Sequence, residues 1–321
     1  MRELIAVTGA GGFIGRELCR TLVQEGFAVR ALQRRKEFSP SDAIEYVPMR
    51  DIGPGTDWSG ALQGVSAVVH LAGRAHRLDE NHQDATDAYE RINVEATRRV
   101  ADAAVKTGVK RLVFLSTVKV HGERTDSKPF AEEDSLSPFG AYAVSKRKAE
   151  LALEEIRRGK DLDVVIIRPP LVYGPGVRAN FLRLIRLVDR GLPLPFGHIK
   201  NRRSMVGLGN LIAMIVLCIR NPRAAGETFL VSDSEDLSTS QLVRKIATAL
   251  DRPCRLLPVP QFLLQIAALV LGKREAAGRL TDSLQVDTTK AKTLLGWKPP
   301  FSVDDELLRT CEWYRRVYRP S

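Results

Sequence analysis

Tyr142 and Lys146 stand four residues apart, and Ser116-Thr117 precede them. In a helix that spacing puts both side chains on one face. A phenol with an ordinary pKa near ~10 cannot carry a proton at neutral pH unaided. A lysine cation close by would favour the phenolate and lower that value. The Thr117 hydroxyl could then hold the oxygen that Tyr142 protonates. Alone, a Tyr–Lys pair equally describes a tyrosine on a buried face and a lysine on a wet one. Hydroxyls at the end of the preceding strand make the set specific.

A second cluster lies at the start of the chain. Gly9-x-x-Gly12-x-x-Gly15 follows the apolar run Glu3 to Thr8 and opens the amphipathic stretch Arg16 to Glu25. Gly9 permits a tight turn, Gly12 lets a pyrophosphate approach the backbone, and Gly15 lets helix and sheet pack closely. The amides and dipole of the helix N-terminus favour the anion. This points to a dinucleotide, with the nicotinamide ring next to the phenol. Enzymes of this kind that take NAD usually place a carboxylate at the end of the second strand, for the ribose 2′-hydroxyl. Here that place holds Gln33-Arg34-Arg35. Two guanidiniums there can receive a 2′-phosphate, so NADP(H) is the preferred cofactor, with NAD(H) admitted.

These residues need elements to position them. The runs Glu3 to Thr8, Phe27 to Leu32, Val65 to Leu71, Arg111 to Leu115 and Leu162 to Ile167 read as strands. Between them lie helices Arg16 to Glu25, Tyr89 to Thr107 and Ala141 to Ile156, the first two stopped by Gly26 and Gly108. Alternation of this kind predicts an α/β fold, a Rossmann-like doubly wound parallel sheet. After about residue 174 breakers interrupt the pattern, and shorter elements such as Asn210 to Arg220 and Thr228 to Ser232 follow. The expected division is 1–173 for the dinucleotide and 174–321 for a smaller, discontinuous substrate-binding region interleaved with it.

Composition bounds the function. The 321 residues are 44% hydrophobic and 27% charged, enough for a full core. Net charge is +11, but the basic residues are dispersed and lack an aromatic-rich ribonucleoprotein motif. An anionic small ligand is therefore expected, and no nucleic acid. No apolar run reaches the ~18 residues of a membrane span. Phe262 to Leu271 is expected to pack on the sheet as a helix; the alternative is a weak peripheral seat on a membrane face, with Lys273 and Arg274 at phosphates. No secretory leader is expected, the four scattered cysteines match no metal spacing, and a cytoplasmic protein without a metal is the simplest reading.

The motifs together resemble the extended short-chain dehydrogenase/reductases of the NAD-dependent epimerase/dehydratase group. The likeness rests on Thr8-Gly9-Ala10-Gly11-Gly12-Phe13-Ile14-Gly15, on Val69-His70-Leu71-Ala72-Gly73, and on Asn93-Val94. It continues through Leu115 to Gly122, Tyr142-Ala143-Val144-Ser145-Lys146, Arg168 to Pro175, and Asp287 with Leu295-Gly296-Trp297-x-Pro299. It implies Thr117, Tyr142 and Lys146 as catalytic residues. For the dinucleotide it implies Gly9, Gly12, Phe13, Ile14, Gly15, Arg34, Arg35, Asp51, Ile52, Leu71, Ala72, Gly73, Asn93, Tyr142, Lys146 and Pro169. For a UDP-sugar it implies Thr117, Tyr142, Asn180, Arg203 and Arg279. It also implies a homodimer built on the two long helices. His121 replaces a tyrosine of the family pattern, and Asn210 an aspartate.

Segments 201–206, 228–239 and 256–260 are similar to a subgroup from bacterial O-antigen and lipopolysaccharide gene clusters. That subgroup holds C4-reductases of UDP-4-keto-6-deoxy-GlcNAc and 4-epimerases of UDP-sugars. The absence of an aromatic in Ser283-Leu284-Gln285 is expected to leave room for an N-acetyl group. A reductase exchanges its cofactor with a pool at each turnover, whereas an epimerase is best served by one that stays bound. Gln33-Arg34-Arg35 therefore tilts the expectation to the reductase, the alternative being a UDP-GlcNAc or UDP-Glc 4-epimerase with retained NAD. A non-catalytic NADPH-binding regulator on the same fold would usually lose the tyrosine or lysine, and both stand here.

Overall fold

The computed structural model describes residues 2–34, 43–49, 56–74, 82–270, 278 and 280–319. Arg35, Asp51, Ile52 and Arg279 lie outside the described residues. Apolar runs bounded by glycine turns give β1 (Leu4–Thr8), β2 (Ala28–Gln33), β3 (Ile44–Pro48), β4 (Ala67–His70), β5 (Arg111–Leu115) and β6 (Asp163–Arg168). The helices between them are α1 (Phe13–Gln24), α2 (Trp58–Leu62), α3 (His82–Tyr89), α4 (Ala96–Thr107) and α5 (Gly140–Arg157). Then come β7 (Leu171–Tyr173), α6 (Ala179–Asp189), β8 (Met205–Gly207), α7 (Leu208–Arg220), β9 (Thr228–Leu230), α8 (Thr239–Ala249), α9 (Gln261–Val270), α10 (Thr289–Leu295) and α11 (Val303–Tyr318).

The main sheet runs β3-β2-β1-β4-β5-β6-β9, parallel throughout. Strand order reverses between β1 and β4, and such a switch point opens a crevice at the carboxyl ends of the strands. Both faces are covered, as a parallel sheet requires. Leu18, Leu22, Leu211 and Ile215 of α1 and α7 fill one side. Leu62, Val100, Ala104 and Leu153 of α2, α4 and α5 fill the other. A separate core gathers α6, α8 and α11 near the short parallel pair β7–β8. Phe13 packs against both the first and the third of these cores, so the glycine turn is physically tied to the second lobe.

Element types follow the sequence, and the differences have local causes. Helix α1 begins three residues earlier than the apolar periodicity marks, because extended Gly12 acts as its N-cap. The long helix expected over 89–107 is present and continuous with α3, but it carries a π-helical turn at Glu90–Glu95 that joins α3 to α4. Such turns admit an extra residue and often sit at functional sites; here Asn93 is the buried member. Of the segment expected as a helix over 262–271, residues 262–270 are helical within α9 and Leu271 lies outside the described residues; the helix does not lie on the sheet. Leu264 packs on the third core, whereas Phe262, Leu263, Ile266, Leu269 and Val270 are exposed.

Candidate active site

The carboxyl ends of β1 and β4 are clamped by polar side chains. Thr97 donates its hydroxyl to Asn93 O (2.6 Å) and accepts from His70 Nε2 (3.0 Å). His70 Nδ1 then accepts from Thr8 Oγ1 (2.7 Å), which itself accepts from the amides of Leu71 and Ala72 (both 3.1 Å). Every role in this chain is fixed if His70 is neutral, and burial with the nearby Lys146 pushes its pKa down to about 3.

The glycine turn fits against this clamp. Gly9 adopts φ +69°, and a Cβ there would come 2.9 Å from Ala72 N. A Cβ on Gly15 would lie 2.3 Å from Gly9 O, so only glycine lets α1 sit this close. A Cβ on Gly12 would meet only Gly9 O, at 3.1 Å, leaving its outer side open to an approaching group. No side chain caps α1, and the amides of its first turn at Phe13 and Ile14 face that opening with the positive end of the helix dipole.

At the end of β2, Gln33 is buried and neither its amide oxygen nor its nitrogen has a hydrogen-bond partner. Buried amides left in this way lose stability unless a ligand satisfies them. The position adjoins the first strand's glycine turn, where Ala10 N donates to Leu32 O (3.3 Å). An adenosine ribose fits both the open cradle and the unpaired amide. Arg34 follows and is exposed.

Thr117, Tyr142 and Lys146 come together beyond the clamp. Helix α5 carries Tyr142, half-buried, and Lys146, buried, on one face. Thr117, just past β5, hydrogen-bonds the Tyr142 phenol and accepts from Lys119 N at 3.3 Å. Burial drives the phenol up to about 12, partly offset by that bond. The protein alone thus holds Tyr142 protonated, and a lowered phenol would require a further cation. Lys146 Nζ lies over the Phe114 ring, 4.1 Å from its centroid. Burial lowers it to about 7, against the pull of Glu150. A Cβ on Gly73 would stand 3.1 Å from Asn93 Oδ1 and 4.0 Å from Lys146 Nζ, so the β4 loop and the lysine meet.

Asn93 is a clamp within the protein. Its Oδ1 accepts from Arg74 N (2.7 Å), and its Nδ2 donates to Arg74 O (3.2 Å) and Ser145 Oγ (2.9 Å). Both N–H bonds are engaged, which holds the β4 loop against α5. Pro169 similarly contributes backbone, its carbonyl accepting from Val118 N (2.9 Å) just beyond Thr117.

Beneath the pair lies a network that the sequence reasoning missed. Ser116 Oγ donates to Glu150 Oε1 (2.5 Å), and Arg168 donates to both Glu150 oxygens. Arg168 Nη1 also donates to His121 Nε2 (3.0 Å). His121, which stands in place of a tyrosine, therefore acts as an acceptor, and burial plus Arg168 lower it to about 4. A signal existed: Glu150 follows Lys146 by four residues, the same spacing that joins Lys146 to Tyr142.

The second lobe supplies the other wall. Gly176 approaches Phe13, with a Cβ 3.4 Å from its ring. Asn180 is exposed at the start of α6, after Ala179 at φ +53°. Arg203 is half-buried, its Nη1 donating to Asp282 O (3.0 Å), with its backbone bridged to Leu237 and Leu284. Leu284 packs with Val118, next to Thr117, so segment 283–285 reaches the strand end that carries Thr117. Among the described residues no group of three or more His, Cys, Asp or Glu could hold a metal, and no helix is long and apolar enough to cross a membrane.

Comparison with known proteins agrees with this geometry. The chain is 40% identical over 314 residues to a Vibrio cholerae protein named UDP-glucose 4-epimerase, covering 97% of this chain and 95% of that one. The solved structure of MoeE5 in complex with UDP-glucose and NAD is 27% identical, with a TM-score of 0.77 over 97% of this chain and 98% of that one. UDP-glucuronic acid 4-epimerase from Bacillus cereus shares the fold at 22% identity, with a TM-score of 0.80 over 98% and 100% of the two chains. Residues 5–232 match the family described as "NAD dependent epimerase/dehydratase family". On sequence and architecture alike, the chain belongs to the NAD dependent epimerase/dehydratase family.

Proposed function

We propose that this enzyme transfers hydride at C4 of a UDP-sugar, and that its net reaction reduces UDP-4-keto-6-deoxy-GlcNAc to UDP-N-acetylquinovosamine for O-antigen and lipopolysaccharide biosynthesis. The carrying observation is the hydrogen bond between Thr117 and the Tyr142 phenol, on the helix that also carries Lys146. Reduction of a ketone needs a proton donor there, because the new C4 oxygen takes a proton as hydride arrives. When bound, the nicotinamide dinucleotide supplies the hydride. Tyr142 donates its proton to the C4 oxygen, and Thr117 hydrogen-bonds that oxygen and orients it. The Lys146 cation stabilises the phenolate left behind and returns a proton to it. Arg203 and Asn180 are assigned to the diphosphate side of the nucleotide, with Arg279 from the same region.

Gln33 supports NADP(H) as the preferred cofactor: a neutral amide at the ribose does not repel a 2′-phosphate, and exposed Arg34 adjoins it. The relatives' printed names support a UDP-sugar as substrate. We further assign a homodimer to α4 and α5, where Val144 and Leu151 of α5 are exposed apolar residues, and a cytoplasmic setting, consistent with the free thiols of Cys19, Cys218, Cys254 and Cys311.

One observation favours a second reading. The Vibrio cholerae relative carries the name UDP-glucose 4-epimerase, and an epimerase would use the same residues with NAD retained. The absorbance of the reduced nicotinamide separates the two. Stoichiometric NADPH loss with UDP-4-keto-6-deoxy-GlcNAc, faster than NADH loss, supports the reductase. Interconversion of UDP-GlcNAc and UDP-GalNAc with no net loss of cofactor supports the epimerase and overturns the reductase.

A further inference from the structure

Helix α9 is apolar around most of its circumference, and its only polar side chains are Gln261 and Gln265. Leu264 anchors it to the third core. Phe262, Leu263, Ile266, Leu269 and Val270 project outward, each between 46% and 80% exposed. The patch extends beyond the helix. Leu194 and Leu256 form a parallel bridge, with Leu194 N donating to Arg255 O and Leu257 N to Leu194 O (both 2.8 Å). That pairing sets exposed Leu192 and Leu257 on the two segments leading to α9. Large apolar side chains left this exposed, five of them on one short helix, mark an interaction site.

The charge around it is predominantly positive. Segments 190–200 and 252–270 contain no Asp or Glu, although Asp189 and Asp251 flank them. They carry exposed Arg190, Lys200 and Arg255, and Arg252, whose Nε pairs with Asp189 at 3.4 Å. Ten helical residues span about 15 Å, half of a hydrocarbon core, so α9 can lie in an interface but cannot cross it. A second copy of the chain is a poor match. A two-fold interface sets the same patch against itself, and here would bring Arg190, Lys200 and Arg255 of one copy toward those of the other. An anionic lipid surface satisfies both features at once: apolar side chains enter the acyl boundary and the guanidiniums meet phosphates. We propose that α9, with Leu192 and Leu257, docks this enzyme reversibly on a membrane rich in anionic phospholipid. Gly278 and residues 280–282, next in the chain among those described, include Asp282, whose carbonyl accepts from Arg203. The docked face thus adjoins the lobe to which the nucleotide-sugar is assigned, though the docking does not depend on that assignment.

The test is co-sedimentation of the full-length protein with vesicles of phosphatidylcholine alone and of phosphatidylcholine with phosphatidylglycerol. Binding is expected to the mixed vesicles only, and to be released by raised salt. Arg255→Gln should weaken it about fivefold. Phe262→Ser combined with Leu269→Ser should weaken it at least about tenfold while leaving the melting temperature and UDP-sugar turnover unchanged. The proposal is overturned by absence of binding to the mixed vesicles, or by binding that survives all these substitutions. It is equally overturned if the double variant converts a dimer to a monomer in sedimentation velocity, which would assign the face to a second copy.

Discussion

Glu150 holds the Arg168 guanidinium in a two-point grip, Oε1 accepting from Nε at 3.0 Å and Oε2 from Nη2 at 2.8 Å. Both residues are buried, at 0% and 4% exposure, one turn of α5 away from Lys146. Breaking one partner of such a pair strands the other charge. Glu150→Gln is therefore expected to lose about 3–5 kcal/mol of stability, and Glu150→Gln with Arg168→Met to recover much of it. Denaturant unfolding of the three proteins measures this. A loss under about 1 kcal/mol in the single variant would show that the grip contributes little.

Tyr142→Phe removes the proton and leaves the ring. Turnover should fall about 10²- to 10⁴-fold, with dinucleotide binding intact by fluorescence titration. Thr117→Val should cost less, about tenfold to a hundredfold, as for one hydrogen bond to a charged oxygen. Equal losses in the two variants would argue that neither proton transfer nor its orientation limits the rate.

Lys146 has a stability signature of its own. Its folded pKa is lowered to about 7 from an ordinary 10.5. Between those values the unfolded chain binds the extra proton, so stability of the cofactor-free protein rises with pH across that window. Lys146→Met removes the cost of the buried cation. Its melting temperature should exceed that of the parent most below pH 7, and the gap should close toward pH 10, while turnover is lost. A gap independent of pH would contradict the depressed pKa.

Glu306 on α11 gives the opposite slope. It is buried and wedged against Gly207 and Gly209, with Arg309 Nη1 3.9 Å from Oε1, and burial near Asp233 raises it to about 7. Here the folded state holds the extra proton between pH 4.5 and 7, so its stabilising contribution is present below pH 4.5 and lost as pH rises through 7. Glu306→Gln should match the parent at pH 4.5 and melt higher at pH 8. Melting curves at the two values decide it.

At the ribose position, Gln33→Asp should lower the preference for NADPH over NADH by at least about tenfold, through repulsion of the 2′-phosphate. Steady-state kinetics with each cofactor measures the ratio. An unchanged ratio would remove Gln33 from cofactor choice.

Much of this was legible before any coordinates. Glycine spacing, strand ends and the Tyr–Lys pair specify a doubly wound sheet because each obeys a short-range rule. Other features needed three dimensions. The π-helical turn that aims Asn93 inward is invisible to helical periodicity, which reads 89–107 as one helix. Arg168 looked like the end of a strand before two prolines, and only the pairing of β5 with β6 carries it under Ser116. The outward face of α9 was misread because a run of apolar residues states that it must be covered, and leaves open by what.

Strand β9 comes from residues 228–230, after the second lobe has begun, yet it hydrogen-bonds β6. During synthesis the first six strands emerge with β6 as a bare edge, including the backbone of Ile166, whose amide later donates to Glu227 O. Until some sixty more residues have left the ribosome, that edge is a template for a neighbouring nascent chain. Vectorial folding therefore leaves the sheet open at β6 until β9 is made, and crowded polysomes are where this fold is most exposed to mispairing.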